Sequence, residues 1–237
     1  MKILSSIKYQ LNDSCRALLV FWGIVFLILI LAAVAGGGNG SVTGMEMASA
    51  IFIFVVGLNS FKPAFNFSMA NGISRKTQFI GFAASISIFA TAMAIADSIF
   101  MLIFSNFMPY SSLFTQLYFR NSPQSFSGSL LSGPVWSILL YIMVAMMGYM
   151  ICLIYYRSGL AMKLAVSIAP PVILFIVLPF SARLNPEPAL QFINFIGNAL
   201  GLYPHAAPMN AATTFLIFSV LFAGASFFLM RRAEIKR

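Results

Sequence analysis

Six long apolar runs constrain this chain more than any other feature. They cover about residues 17–35, 45–61, 78–104, 134–156, 164–180 and 211–230. A hydrocarbon core about 30 Å thick takes roughly 20 apolar residues of helix to cross. Inside it every backbone N–H and C=O must be satisfied within the protein, which leaves helices or a closed barrel. The runs are continuous rather than alternating, so a barrel is excluded. Only 8% of the 237 residues are charged and 60% are hydrophobic, whereas a soluble domain carries about a quarter charged. So few charges cannot solvate a globule of this size, which excludes a soluble enzyme and a disordered chain. Cys15 precedes the first run and Cys152 lies inside a later one, so no disulfide framework is expected. The reading is an all-α membrane protein, a single domain over 1–237, with six transmembrane helices.

The placement of charge predicts topology. Lys2, Lys8, Arg16, Lys62, Arg75, Lys76, Arg157, Lys163, Arg231, Arg232, Lys236 and Arg237 fall in one set of segments, and only Arg120 and Arg183 in the opposite set. Lys and Arg are retained on the cytoplasmic side, so the split predicts both termini in the cytoplasm and an even number of spans. It also accounts for the net charge of +9 without a nucleic-acid partner. Trp136, with Tyr155 and Tyr156, suits interfacial anchoring at the two ends of the fourth span. Ala33-Val34-Ala35 resembles a cleavage site, but the apolar stretch before it is longer than a signal-peptide core, so an uncleaved first helix is expected.

Two short segments carry more information. In residues 1–14, Ile3, Leu4, Ile7 and Leu11 share one helical face, with Lys2, Ser5, Ser6 and Lys8 between them. This spacing predicts an amphipathic helix lying along the membrane interface before the first span. The second segment, 62–76, reads Lys-Pro-Ala-Phe-Asn-Phe-Ser-Met-Ala-Asn-Gly-Ile-Ser-Arg-Lys. Pro63 suits the first turn of a short helix, Asn71-Gly72 its end, and Ser74 the cap of the third span. Phe65, Phe67 and Met69 are too apolar for a solvated loop and call for burial against lipid or a partner.

A short helix after the second span, followed by Asn71-Gly72-Ile73-Ser74-Arg75-Lys76-Thr77, resembles the ABC-2 type permeases of ATP-binding-cassette exporters. The resemblance covers about ten residues as motif. As architecture it takes in the amphipathic N-terminal helix, six spans, cytoplasmic termini and the long outer segment before the last span. It implies that 62–76 is a coupling helix docked in a groove of an ATPase subunit. Phe65, Phe67, Met69 and Ile73 would then make the apolar contact, Asn71, Gly72 and Ser74 shape its end, and Arg75 and Lys76 meet acidic ATPase surface or lipid phosphate. It further implies two ATPase subunits, a second permease chain as homodimer or heterodimer, a bacterial cell membrane, and re-entrant helices in the outer segment 181–210. A plain surface loop is the alternative there. The residues themselves predict a helix from about Glu187 to Leu200 and note small-xxx-small spacing from Gly197 to Gly201, which permits close helix contact.

The chain has no Walker A pattern. Gly36, Gly37, Gly38, Gly40 and Gly44 lack the following Lys and read as a flexible outer turn. ATP and Mg are therefore expected on the partner ATPase, with no cofactor, metal or catalytic residue in this chain. His205 has no ligand-type neighbour in sequence and reads as an ordinary loop histidine. Asn66-Phe67-Ser68 matches a glycosylation sequon on the predicted cytoplasmic side and is discounted. Asp97 lies inside the third span, where an ionisable group is a functional candidate by default. It reads either as an ion or substrate contact or as a carboxylate near the outer boundary, reaching water or capping a neighbour's hydroxyl. Pro170 and Pro171 interrupt the fifth span, as a gating hinge or a static kink.

The expected function is the membrane-spanning subunit of an ATP-driven exporter. Spans rich in Phe and Met (25 and 14 in the chain) suit apolar or amphipathic cargo, such as a peptide, an antimicrobial, a lipid or a drug. The rivals are an ion-coupled secondary transporter using Asp97 and a substrate-capturing subunit of an uptake system. A membrane-embedded enzyme is disfavoured by the missing catalytic cluster.

Overall fold

The computed structural model describes residues 2–36, 41–119, 126–184, 186–202 and 208–231. Gly37, Gly38, Gly40, Arg120, Pro204, His205, Arg232, Lys236 and Arg237 lie outside the described residues. Six helices are long and apolar enough to cross a membrane, as the apolar runs predict. They lie in α1 (Lys2–Ala35), α2 (Glu46–Ala70), α3 (Arg75–Phe104), α5 (Phe126–Arg157), α6 (Leu160–Val172) with the segment that continues it, and α9 (Pro208–Arg231). Between them stand the two-residue strands β1 (Val42–Thr43) and β2 (Tyr110–Ser111) and the short helix α4 (Leu113–Tyr118). A π-helical turn (Ile173–Val177), α7 (Leu178–Leu184) and α8 (Pro186–Ala199) follow α6.

α5 is the centre of the bundle and packs against α2, α3, α4, α6 and α9. Its tightest seam is with α2. A Cβ built on Gly57 would run into the Ala145 carbonyl, and one built on Gly148 would sit 2.5 Å from the Phe54 carbonyl oxygen. Two glycines on facing helices thus let the backbones touch. That matters in lipid, where association rests on close packing rather than on exclusion of water. The core on either side is aromatic. Tyr149 stacks on Phe82 at 3.8 Å between ring centres, and Phe61 meets Phe65, Tyr149 and Tyr156.

The N-terminal helix differs from the expectation. Residues 1–14 do not form a separate interfacial element; from Lys2 they belong to one 34-residue helix with the first span. At 1.5 Å per residue α1 is about 51 Å long, well beyond the hydrocarbon thickness. No Pro or Gly interrupts the polar stretch Asn12-Asp13-Ser14, so nothing ends the helix there. The extension packs on α3 through Ser6 and Gln10, both buried, which close over Gly81. Leu4 is left exposed.

The short helix expected after the second span is likewise not separate. α2 runs unbroken through Pro63 to Ala70. Proline removes one helix hydrogen bond, but Phe61 and Phe65, two residues to either side, are both fully buried against Tyr156. Packing holds the turn on both sides of the proline. At 25 residues α2 is about 37 Å long, so its last two turns outrun a 30 Å hydrocarbon core.

The fifth span stands apart. No residue of α6 is buried. Beyond Pro170 and Pro171 the Leu178 N–H donates to the Ile173 carbonyl, five residues back, so the helix widens to the π pattern after its prolines. α8 carries the predicted outer helix, and Gly197 and Gly201 are buried near its end. Gly201 lies past the helix end at φ +65°. Its N–H donates to Asn198, and that of Leu202 donates to Gly197 at 2.7 Å, a left-handed helix stop. Tyr118 and Thr214 hydroxyls donate to the freed Leu200 and Ala199 carbonyls at 2.7 Å each.

Candidate functional site

Two places bring polar groups together, at opposite ends of the bundle. The first is the connector 71–74 between α2 and α3. The Gly72 N–H donates to Met69 and the Ile73 N–H to Ser68 at 2.8 Å, with Gly72 at φ +61°. This is the two-bond stop that a left-handed glycine permits. Asn71 adds a side-chain bond from its Nδ2 to the Phe67 carbonyl at 2.8 Å. Ser74 then caps α3, its Oγ accepting from the Thr77 N–H at 3.2 Å. The sequence reading of Asn71, Gly72 and Ser74 matches this geometry. Arg75 donates to the Arg231 carbonyl at the last residue of α9, and Tyr9 of α1 stacks on Phe67 at 4.0 Å. Lys62, Arg75, Lys76, Arg157 and Arg231 therefore stand at one end of the bundle.

The apolar residues of this segment are placed differently from the expectation. Phe65 is fully buried and Ile73 nearly so. Both are packed inside the chain and present no surface to a docking partner. Phe67 and Met69 are half-buried, Phe67 under Tyr9 and Met69 against the core. The exposed residues are Lys62, Pro63, Asn66, Ala70, Asn71, Gly72, Ser74 and Lys76, with Arg75 half-buried. The surface offered here is mostly polar and basic.

The second place surrounds Asp97, at the opposite end. Asp97 is 7% exposed. Its Oδ1 accepts from Ser49 Oγ at 2.9 Å and its Oδ2 from Tyr141 Oη at 2.5 Å. Of the two sequence readings, a carboxylate capping neighbouring hydroxyls describes what is seen. Its partners are 48 and 44 residues away in sequence, beyond the reach of any local motif. Glu46, the first residue of α2, lies beside it and is 6% exposed. Its Oε2 accepts from the Leu113 N–H at 3.0 Å, which fixes the start of α4 on α2. Sequence reasoning passed over Glu46. Its signal is the scarcity of acid: the chain has five Asp and Glu in all, of which one opens a spanning helix and another lies within one.

Both carboxylates line a cavity of about 30 Å³ together with Ser98, Ser112 and Ser137. That room suits one water-sized body and is far too small for a transported peptide or lipid. Tyr110, in β2 outside the spans, senses the same pair. Burial first, then the charges of Glu46 and Asp97, push its phenol above the usual range. Among the described residues no three His, Cys, Asp or Glu side chains gather as for a transition-metal site. The hydroxyl donors support the carboxylate directly. Tyr141→Phe takes a hydroxyl donor away from a buried carboxylate, a loss of about 1–3 kcal/mol. A fall in the thermal midpoint of the purified chain, with Tyr9→Phe unchanged as control, is the expected reading.

Pro170 and Pro171 belong to neither place. With Met147, Ile154, Val166 and Phe222, Pro170 borders an open apolar cleft of about 590 Å³ among α5, α6 and α9. No family model, no curated protein and no solved structure matches this chain.

Proposed function

We propose that this chain is the membrane-spanning subunit of an ATP-driven exporter of the ABC-2 permease kind. It works with a second permease chain and with two ATPase subunits that carry ATP and Mg, in a bacterial cell membrane with both termini inside. The observation that carries the reading is the end of α2. A helix that outruns the hydrocarbon, closed by a hydrogen-bonded stop and pinned inward by Phe65 and Ile73, gives a stiff knob with a mostly polar outer surface. Stiffness is what a lever between a motor and a span requires.

The burial of Phe65 and Ile73 moves the proposed docking contact to Lys62, Asn66, Asn71 and Lys76. The cargo remains apolar or amphipathic, and the cleft among α5, α6 and α9 is the path it would follow. Its wall includes the π turn, a helix irregularity that recurs at functional sites.

The test is vectorial labelling followed by reversal of charge. In a Cys15→Ser background, Asn71→Cys should react with an impermeant maleimide in inside-out vesicles and not in right-side-out ones. Lys62→Glu with Lys76→Glu should then lower ATPase stimulation by the full complex about tenfold at an unchanged thermal midpoint. Labelling from the exterior, or purification of the active transporter with no ATPase bound, overturns the proposal.

A further inference from the structure

Glu46 and Asp97 place two carboxylates in one small cavity, and the groups that bond them are neutral: two hydroxyls and a backbone N–H. Two buried negative charges call for a positive one unless protons supply it. A second observation points to an occupant. Ser137, on α5, is 6% exposed and lines the same cavity. Its hydroxyl makes no hydrogen bond to the described residues. It stands beside the cavity space, where an occupant can reach it.

We propose that the cavity binds a single sodium ion, held by Glu46, Asp97 and Ser137 with Ser98 and Ser112 around it. Volume and ligand type select the ion. Oxygen ligands suit hard cations. Magnesium keeps several of its waters and a cavity of about 30 Å³ cannot take them. Calcium calls for six to eight oxygens, while both oxygens of Asp97 and one of Glu46 are already engaged by donors. Sodium is smaller than a water molecule, takes fewer oxygens than calcium and gives up its waters more readily than magnesium, so it fits both limits. The ligands come from four elements: Glu46 from α2, Asp97 and Ser98 from α3, Ser112 from the cap of α4, and Ser137 from α5. Sodium thereby ties the ends of three spans to the short helix that closes over them. The site depends on no ATPase, so it stands or falls separately from the exporter reading.

The experiment is thermal unfolding of the full chain in lipid nanodiscs, titrated with NaCl against choline chloride at equal ionic strength. The wild type should be stabilised by sodium in a saturable way and left unchanged by choline, since a ligand that binds only the folded state raises its midpoint. Asp97→Asn should abolish the effect. Ser137→Ala removes only an unpartnered hydroxyl, so it should keep the midpoint in choline while raising the half-saturating NaCl concentration about tenfold. Equal curves in the two salts, or a sodium response unchanged in Ser137→Ala, overturn the site.

Discussion

Gly57→Leu combined with Gly148→Leu should yield no folded protein. Each glycine faces a backbone carbonyl of the opposite helix, Ala145 and Phe54 respectively. Backbone cannot step aside as a flexible side chain can. Gly57→Ala alone should cost about 2–3 kcal/mol, at the upper end for one added methyl group in a full core. Size-exclusion chromatography in detergent is the check, the double variant running as aggregate and the single as a monodisperse peak with a lowered thermal midpoint. Gly159→Ala is the control, because a Cβ there meets nothing within 4 Å. Wild-type behaviour of the double variant would show that α2 and α5 do not meet through these glycines.

A second large effect separates stability from coupling within five residues of chain. Phe65 is fully buried against Phe61 and Tyr156, with ring centres 5.1 and 5.9 Å away. Phe65→Ala should therefore cost about 3 kcal/mol through the space left behind. Asn66 is exposed, and Asn66→Ala should change stability by less than about 0.5 kcal/mol. If the knob docks through its polar surface, Asn66→Ala lowers ATPase stimulation while the midpoint holds. If docking is apolar, as the sequence suggested, Phe67→Ala is the damaging change and Asn66→Ala is silent. Paired midpoint and ATPase measurements on the three variants decide between these outcomes.

The six spans were legible because length and hydropathy are local properties that membrane thickness translates directly into helices. The turn at Asn71-Gly72 was legible for a similar reason. A left-handed stop demands glycine or asparagine and little else, and Ser74 three residues before Thr77 is a cap in sequence as in space. Breaks in helices were read less well. Boundaries were expected at residue 14 and at Pro63, yet α1 and α2 run through both. At Pro63 the decision lay with Tyr156, far along the chain, which fixes Phe61 and Phe65 together. The same distance hid the partners of Asp97. Nothing near residue 97 announces Ser49, Tyr141 or Glu46; only the fold brings α2, α3 and α5 to one point. Gly57 and Gly148 were legible in principle, each a lone glycine inside an apolar helical run, but only together do they mark a seam.

Glu46 is the first residue of α2, and the turn at Asn71 follows directly on its last. The two polar places are therefore opposite tips of a single rod, stiffened along its middle by direct backbone contact with α5. A rod about 37 Å long that rocks by about 10° about its middle displaces each tip by about 3 Å. That distance exceeds the slack of any hydrogen bond, so rocking at the basic tip would pull the carboxylate of Glu46 away from the Leu113 amide and prise open the seat it shares with Asp97.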